Sequence, residues 1–119
     1  MERTGGGPGW RCAAATVPPG QSATFSLRRG KGQAVRCFVV NHEGRFYAYV
    51  NRCPHAGNAL DWWPNRYFTD DGRHLVCAVH GAVFKPETGI CVEGPCPGAG
   101  LERLAVEREG DDLVITWPS

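Results

Sequence analysis

The stretch NRCPHAGNAL, residues 51–60, sets Cys53 and His55 on either side of Pro54, directly after the strand-like run from Arg45 to Val50. Residues 77–84, CAVHGAVF, repeat the pairing with Cys77 and His80. Two short segments therefore each offer one thiolate and one imidazole. Outward from them, no window long enough for a helix keeps apolar residues at helical spacing. Short runs rich in Val, Ile, Phe, Tyr and Thr recur instead between turn residues: Ala23 to Leu27, Gln33 to Val40, Arg45 to Val50, His74 to Ala78, Ala82 to Lys85, Ile90 to Val92, Leu101 to Glu107 and Leu113 to Trp117. The pattern is all-β. Asn41-His42-Glu43-Gly44, Pro86-Glu87-Thr88-Gly89 and Glu109 to Asp112 read as the turns that join neighbouring runs. An antiparallel sandwich or barrel is the expected architecture.

Composition limits what the four residues can be doing. A chain of 119 residues is sized for one domain. With 13 basic against 12 acidic side chains and a net charge of +1, it lacks the electrostatic footprint of a nucleic-acid binder or a polybasic membrane segment. The opening MERTGGGPGWRCAAATVPPG has no signal-peptide core and no twin arginine, and no run approaches the ~20 apolar residues of a membrane span. A soluble, cytoplasmic protein is expected, with neither nucleic acid nor membrane as partner. Residues 1–9, Gly-rich and unpatterned, are expected to be loosely ordered. Six cysteines would suit a disulfide scaffold in a secreted chain, but the missing signal and the pairing of two of them with histidines point to metal.

The division of ligands narrows the metal. A structural zinc site commonly takes two cysteines from one knuckle and two histidines from another segment, so that each pair clips one tetrahedral edge. Mixed pairs suit a [2Fe-2S] rhomb better: one thiolate from each loop on one iron, one imidazole from each loop on the other, the ligand set of a Rieske centre. The chain resembles small Rieske-type [2Fe-2S] proteins, the soluble Rieske ferredoxins. Besides the two ligand motifs, the resemblance rests on FYAYVNRCPH before the first loop, HGAVFKPETG after the second, VEGPCPG as a proline loop, and a closing L-x-x-L-x-V-x-x-x-x-x-D-L-V-I pair of strands. It implies an antiparallel three-sheet fold within a single domain, residues 1–119. A cluster-binding part, about residues 51–97, would be inserted into a basal β part, about 10–50 and 98–119.

What the resemblance implies for chemistry follows from a charge count. Two ferric ions, two sulfides and two thiolates sum to zero when the remaining ligands are neutral imidazoles, whereas four thiolates leave a double negative charge, so histidine ligation makes the added electron easier to accept. By resemblance, Cys53 and Cys77 bind the iron that stays ferric and His55 and His80 the one that cycles, with an imidazole edge near the surface. The sequence offers no general base or nucleophile with an evident substrate pocket. The reading is a one-electron carrier between a reductase and an oxygenase or other acceptor, with the cluster as the reactive part. The alternatives are a Rieske-like small subunit of a larger reductase and a zinc-stabilised binding module. A catalytic oxygenase subunit would need a mononuclear iron domain and a two-His-one-carboxylate array, which the remaining chain lacks.

Several residues stand beside this core reading. Gly81 is expected to allow close backbone approach to the cluster, with a turn glycine as the plainer explanation. His42 and His74 are expected to be solvated, and Trp62 and Trp63 to pack down onto their own loop. The connection from His55 to Cys77 is long, and Tyr67 to Arg73 reads as an additional hairpin turn. Cys91 and Cys96 flank the proline loop as CVEGPC, either as a redox-linked disulfide or as two thiols, the latter being the default in a reducing compartment. Cys12 and Cys37 read as small core residues. In the high-potential respiratory branch of the resembled family, a Ser and a Tyr after the second histidine donate hydrogen bonds to cluster sulfurs. The matching positions here are Ala82 and Phe84. That branch also braces its two loops with a disulfide, and the matching positions here are Asn58 and Val79.

Overall fold

The structure is a computed structural model that describes residues 9–28, 32–54, 59–60, 67–77 and 81–118. Its elements are β1 (Gly9–Ala13), β2 (Ser22–Arg28), β3 (Ala34–His42), β4 (Arg45–Val50), β5 (Leu75–Val76), β6 (Val83–Phe84), β7 (Cys91–Glu93), β8 (Ala105–Glu109) and β9 (Asp112–Thr116). A single 3-10 turn, Ala14–Thr16, is the only helical element among the described residues. The strands form three antiparallel sheets, ordered β1-β9-β8, β2-β3-β4 and β5-β6-β7.

The middle sheet organises the molecule because both of its faces are buried. Within β3, Cys37 and Val39 belong to one apolar core and Phe38 and Val40 to another, and all four are fully buried. Successive side chains of a strand point to opposite faces, so the continuous run CFVV serves both cores at once. In β4, Ala48 and Val50 join the first core while Tyr49 joins the second. The first core is closed by the sheet of the two chain ends through Leu113 and Ile115. Trp10 of β1 stacks on Phe25 of β2 with ring centroids 4.3 Å apart. The second core is closed by Leu75, Phe84 and Cys91 of the third sheet.

The expected turn between β3 and β4 is a two-residue hairpin loop, Glu43 and Gly44, with His42 paired to Arg45. Both loop residues have positive φ, 56° and 89°, as a type I′ turn requires. Glu43 is tolerated there because Asn41 braces the turn: its side-chain oxygen accepts the Gly44 N–H at 2.8 Å, and its amide donates to the Val17 carbonyl at 2.8 Å. Tyr67 to Arg73 forms the expected extra turn, with Phe68 bridged to Leu75 and the Thr69 N–H donating to the His74 carbonyl at 2.8 Å.

Three expectations are modified. Gly9–Ala13 pairs with β9, Gly9 opposite Thr116, although GWRCA carries no strand periodicity of its own. Residues 1–8 lie outside the described residues. The run expected from Leu101 to Glu107 is a strand only from Ala105 to Glu109. Before it, Leu101 enters the second core and Leu104 the first, a change of face that the three-residue spacing permits and a two-residue strand period would not. The strand expected from His74 to Ala78 is Leu75–Val76, and Ala78 lies outside the described residues.

Candidate metal centre

Cys53 and Cys77, expected as ligands on separate loops, both lie in the second core at 0% exposure. Each follows a strand end. Cys53 comes three residues after β4, where the Asn51 N–H donates to the Arg36 carbonyl at 2.9 Å and so carries the chain on past the sheet. Cys77 comes directly after β5 and closes a tight loop to β6: its N–H donates to the Ala82 carbonyl, and its carbonyl accepts the Gly81 N–H, both at 2.8 Å. His55 and His80, with Ala56 to Asn58 and Ala78 to Val79, lie outside the described residues, as do Trp62 and Trp63. Among the described residues no three metal-ligating side chains converge, and the two thiols are the part of the expected quartet that is placed.

Two residues not singled out from the sequence hold the first loop. Asn51 is buried, and its side-chain oxygen accepts the Leu60 N–H at 2.8 Å, pinning the two ends of the NRCPHAGNAL segment together. Its amide nitrogen donates to the Tyr67 hydroxyl at 3.2 Å, and that hydroxyl shares a 2.6 Å hydrogen bond with Thr24 of β2. The Tyr67 ring lies flat on Phe38, centroids 4.0 Å apart and planes 8° from parallel. A polar residue two positions before a candidate ligand was the available signal for Asn51. Tyr67 carried none, because its contacts reach β2 and β3, far away in sequence. Replacing Asn51 with alanine leaves the buried Leu60 N–H without its acceptor, a cost of about 1–3 kcal/mol. Thermal unfolding should show that loss, whereas removing the exposed Thr16 hydroxyl, which donates to the Ala13 carbonyl, should change stability by under about 0.5 kcal/mol.

The second loop is covered by the segment between β7 and Gly100. The Cys91 N–H donates to the Ala99 carbonyl at 2.7 Å, and the Gly98 N–H returns to the Cys91 carbonyl at 2.9 Å, so the segment closes on itself. At its tip Gly94 has φ +100°, and a Cβ there would stand 2.7 Å from Ala82 Cα and 3.0 Å from the Gly81 carbonyl oxygen. The close protein contact therefore belongs to Gly94. Gly81 has φ +75° and, among the described residues, no atom within 4 Å of where a Cβ would be, so its left-handed backbone is the reason for glycine that those residues show. Gly94→Ala should displace the covering segment and destabilise the protein by about 1–3 kcal/mol through steric clash and backbone strain together, seen as a lower unfolding temperature. Gly98→Ala, with positive φ but open space around it, should cost less.

Cys91 and Cys96 are free thiols with their sulfurs 3.5 Å apart. The Cys91 thiol donates to the Glu93 carbonyl at 3.1 Å. Burial, then the hydrogen bond and charge of Cys91, then the nearby Cys53 and Cys77, push the Cys96 thiol up to about 11, so it is protonated at neutral pH. Cys37 is buried as expected, whereas Cys12 is only partly covered. His42 ends β3 half-buried with its ring 6.3 Å from that of Phe68, and His74 sits half-buried in the turn before β5.

A family model for the Rieske [2Fe-2S] domain matches residues 9–117. The chain belongs to the Rieske family. A [2Fe-2S] cluster is the cofactor of this Rieske domain, and the described donors fit it: two thiols buried in one apolar core with Leu60, Ala82 and Phe84, with no buried charged side chain among the described residues. The Rieske domain is 35% identical over 78 residues to the ferredoxin component of an alkene monooxygenase system from Xanthobacter autotrophicus (strain ATCC BAA-1158 / Py2), an alignment covering 65% of this chain and 58% of that protein. Its fold is similar to the ferredoxin of carbazole 1,9a-dioxygenase from Nocardioides aromaticivorans IC177, with a TM-score of 0.73 and 22% identity over 94% of this chain and 99% of that one. It is similar also to a chain in a complex of reduced oxygenase and oxidized ferredoxin in carbazole 1,9a-dioxygenase, with a TM-score of 0.71 and 24% identity over 91% of this chain and 92% of that one. At these identities the likeness establishes the antiparallel three-sheet fold. Among the described residues no helix is long and apolar enough to cross a membrane.

Proposed function

We propose that this Rieske protein is a one-electron carrier of the ferredoxin type, accepting electrons from a reductase and passing them to an oxygenase or another acceptor protein in the cytoplasm. The observation that carries the reading is the match of the Rieske [2Fe-2S] domain to residues 9–117, which brings a one-electron centre and no other recognised catalytic group to this stretch. The ferredoxin names of the relatives support it. Cys53 and Cys77 are assigned as the thiolate ligands and His55 and His80 as the imidazole ligands. Residues 51–97 are assigned as the cluster-binding part, on a basal part of residues 10–50 and 98–119. In support, the sheet β5-β6-β7 lies wholly within the first range, while the sheet β1-β9-β8 joins both ends of the chain.

When bound, the cluster supplies reversible one-electron chemistry without proton or group transfer at carbon. The protein's part is to hold it and to limit its surroundings. The two thiols follow closely on strands: the chain before Cys53 is held by the Asn51 N–H on the Arg36 carbonyl, and Cys77 by its own loop bonds to Ala82 and Gly81. Asn51 and Gly94 close the two segments around them. The apolar wall of Leu60, Ala82 and Phe84 excludes water from the thiolate side. Electron exchange is left to the histidine side.

Anaerobic purification followed by iron and acid-labile sulfide analysis tests this reading. Equimolar iron and sulfide, a red-brown protein and a reductive titration complete at one electron per chain are expected. A colourless protein holding zinc and no sulfide would overturn it in favour of a zinc-stabilised module.

A further inference from the structure

We propose that Cys91 and Cys96 form a reversible dithiol–disulfide pair, a modification site for low-molecular-weight disulfides in the segment that covers the second ligand loop. The sulfurs are already in contact at 3.5 Å, and the Cys96 thiol points its hydrogen at Cys91. A disulfide needs about 2.05 Å between sulfurs. The backbone between them is closed at both ends, by Cys91 N–H to the Ala99 carbonyl and by the Ala99 N–H to the Cys96 carbonyl at 3.0 Å. The fold has therefore already taken up the loop-closure entropy that otherwise opposes a short disulfide ring.

Access sets the order of events. Cys91 is 2% exposed and Cys96 is only partly covered, so Cys96 meets the small disulfide first. The small thiolate fraction of Cys96 attacks one sulfur of the reagent, its proton having passed to solvent, so this first step is slow; one small thiolate leaves and takes up a proton, and a mixed disulfide remains on Cys96. The Cys91 sulfur then displaces the second small thiol and the Cys91–Cys96 bond forms. Two protons and two electrons pass in total from the protein pair to the small disulfide, which becomes two thiols. The protein loses the thiol donation from Cys91 to Glu93 and gains a covalent tie from β7 to the far limb of the segment whose tip rests on Ala82. Reduced glutathione or another small thiol reverses both steps.

The test equilibrates the purified, cluster-loaded protein anaerobically in buffers of increasing oxidised-to-reduced glutathione ratio, with visible absorption recorded throughout. Acid quenching, alkylation of remaining thiols and cleavage after glutamate follow. Cutting at Glu87, Glu93 and Glu102 places Cys91 and Cys96 on different peptides, so the bond appears as a linked pair. The expected result is that the linked pair replaces the two alkylated peptides at least tenfold across the series, with cluster absorption retained and Cys12 still alkylated. Cys96→Ser should show no linked pair. The proposal is overturned if both peptides stay alkylated at every ratio, if Cys96 carries glutathione without the link, or if the link forms only as the cluster absorption is lost. A colourless preparation would count against the carrier reading alone, since linkage can still be scored on that protein.

Discussion

Replacement of Cys77 by serine is expected to remove most of the cluster. Cys77 is fully buried, its N–H and carbonyl are both committed to the loop that closes on β6, and it cannot move far enough to let another donor take its place. Cys91 and Cys96 are the nearby thiols, but they are engaged with Glu93 and with each other on a different segment. Loss of an outer partner of a metal ligand commonly costs roughly 10–100-fold in affinity, and loss of the ligand itself should exceed that. Iron per chain and the EPR signal of the reduced protein should therefore fall at least tenfold in Cys77→Ser, and likewise in His80→Ala. Cys12→Ser should retain both, since Cys12 packs against the other core. Amide circular dichroism separates ligand loss from unfolding. Full iron content with an unchanged signal in Cys77→Ser would show that the ligand assignment is wrong.

The second large effect is on the reduction potential. Donated hydrogen bonds stabilise the more negative reduced cluster and so raise its potential. Ala82 and Phe84 occupy the positions where a hydroxyl donor stands in the high-potential branch. Ala82 lies directly before β6 and Phe84 within it, and both are fully buried in the same core as Cys53 and Cys77. Without those donors the midpoint should lie near the low end of the Rieske range, about −150 to −100 mV at pH 7. Ala82→Ser and Phe84→Tyr should each raise it. If each new bond favours the reduced state by about 1 kcal/mol, the shift is roughly 40 mV for a one-electron couple, and the double variant should shift further. A wild-type midpoint above about +100 mV would overturn the hydrogen-bond argument and the ferredoxin reading with it. If the hydroxyls do not face cluster sulfurs, the variants will show no rise. They will instead lose about 1–3 kcal/mol of stability, because a buried hydroxyl is left without a partner.

Much of this was legible in the chain because it is written locally. Alternation and β-branched runs mark β2, β3 and β4 to within a residue or two, and the turn residues mark their connections. Cys53 and Cys77 were legible as candidate ligands because each stands in a short motif with a histidine, a feature local in the chain whatever encloses it. An apparent strand around Cys12 was legible, but its extent and partner were not, since Gly9–Ala13 is fixed as β1 by pairing with β9, at the other end of the chain. The same reason hides Tyr67. Its ring needs Phe38 beneath it and its hydroxyl needs Thr24 and Asn51, and no sequence window contains all four.

By itself, then, the sequence determined the strands with strong periodicity, the turns, the absence of long helices among the described residues and the choice of candidate ligands, all consequences of side-chain chemistry at short separation. Only the tertiary structure decided that CFVV serves two cores, that Asn51 ties its own loop shut, that Gly94 rather than Gly81 makes the close protein contact, and that Cys91 and Cys96 meet sulfur to sulfur. Each of those depends on which backbone passes beside which. That is set by the burial of the sheets against one another, a sum over residues distant in sequence that no local pattern contains.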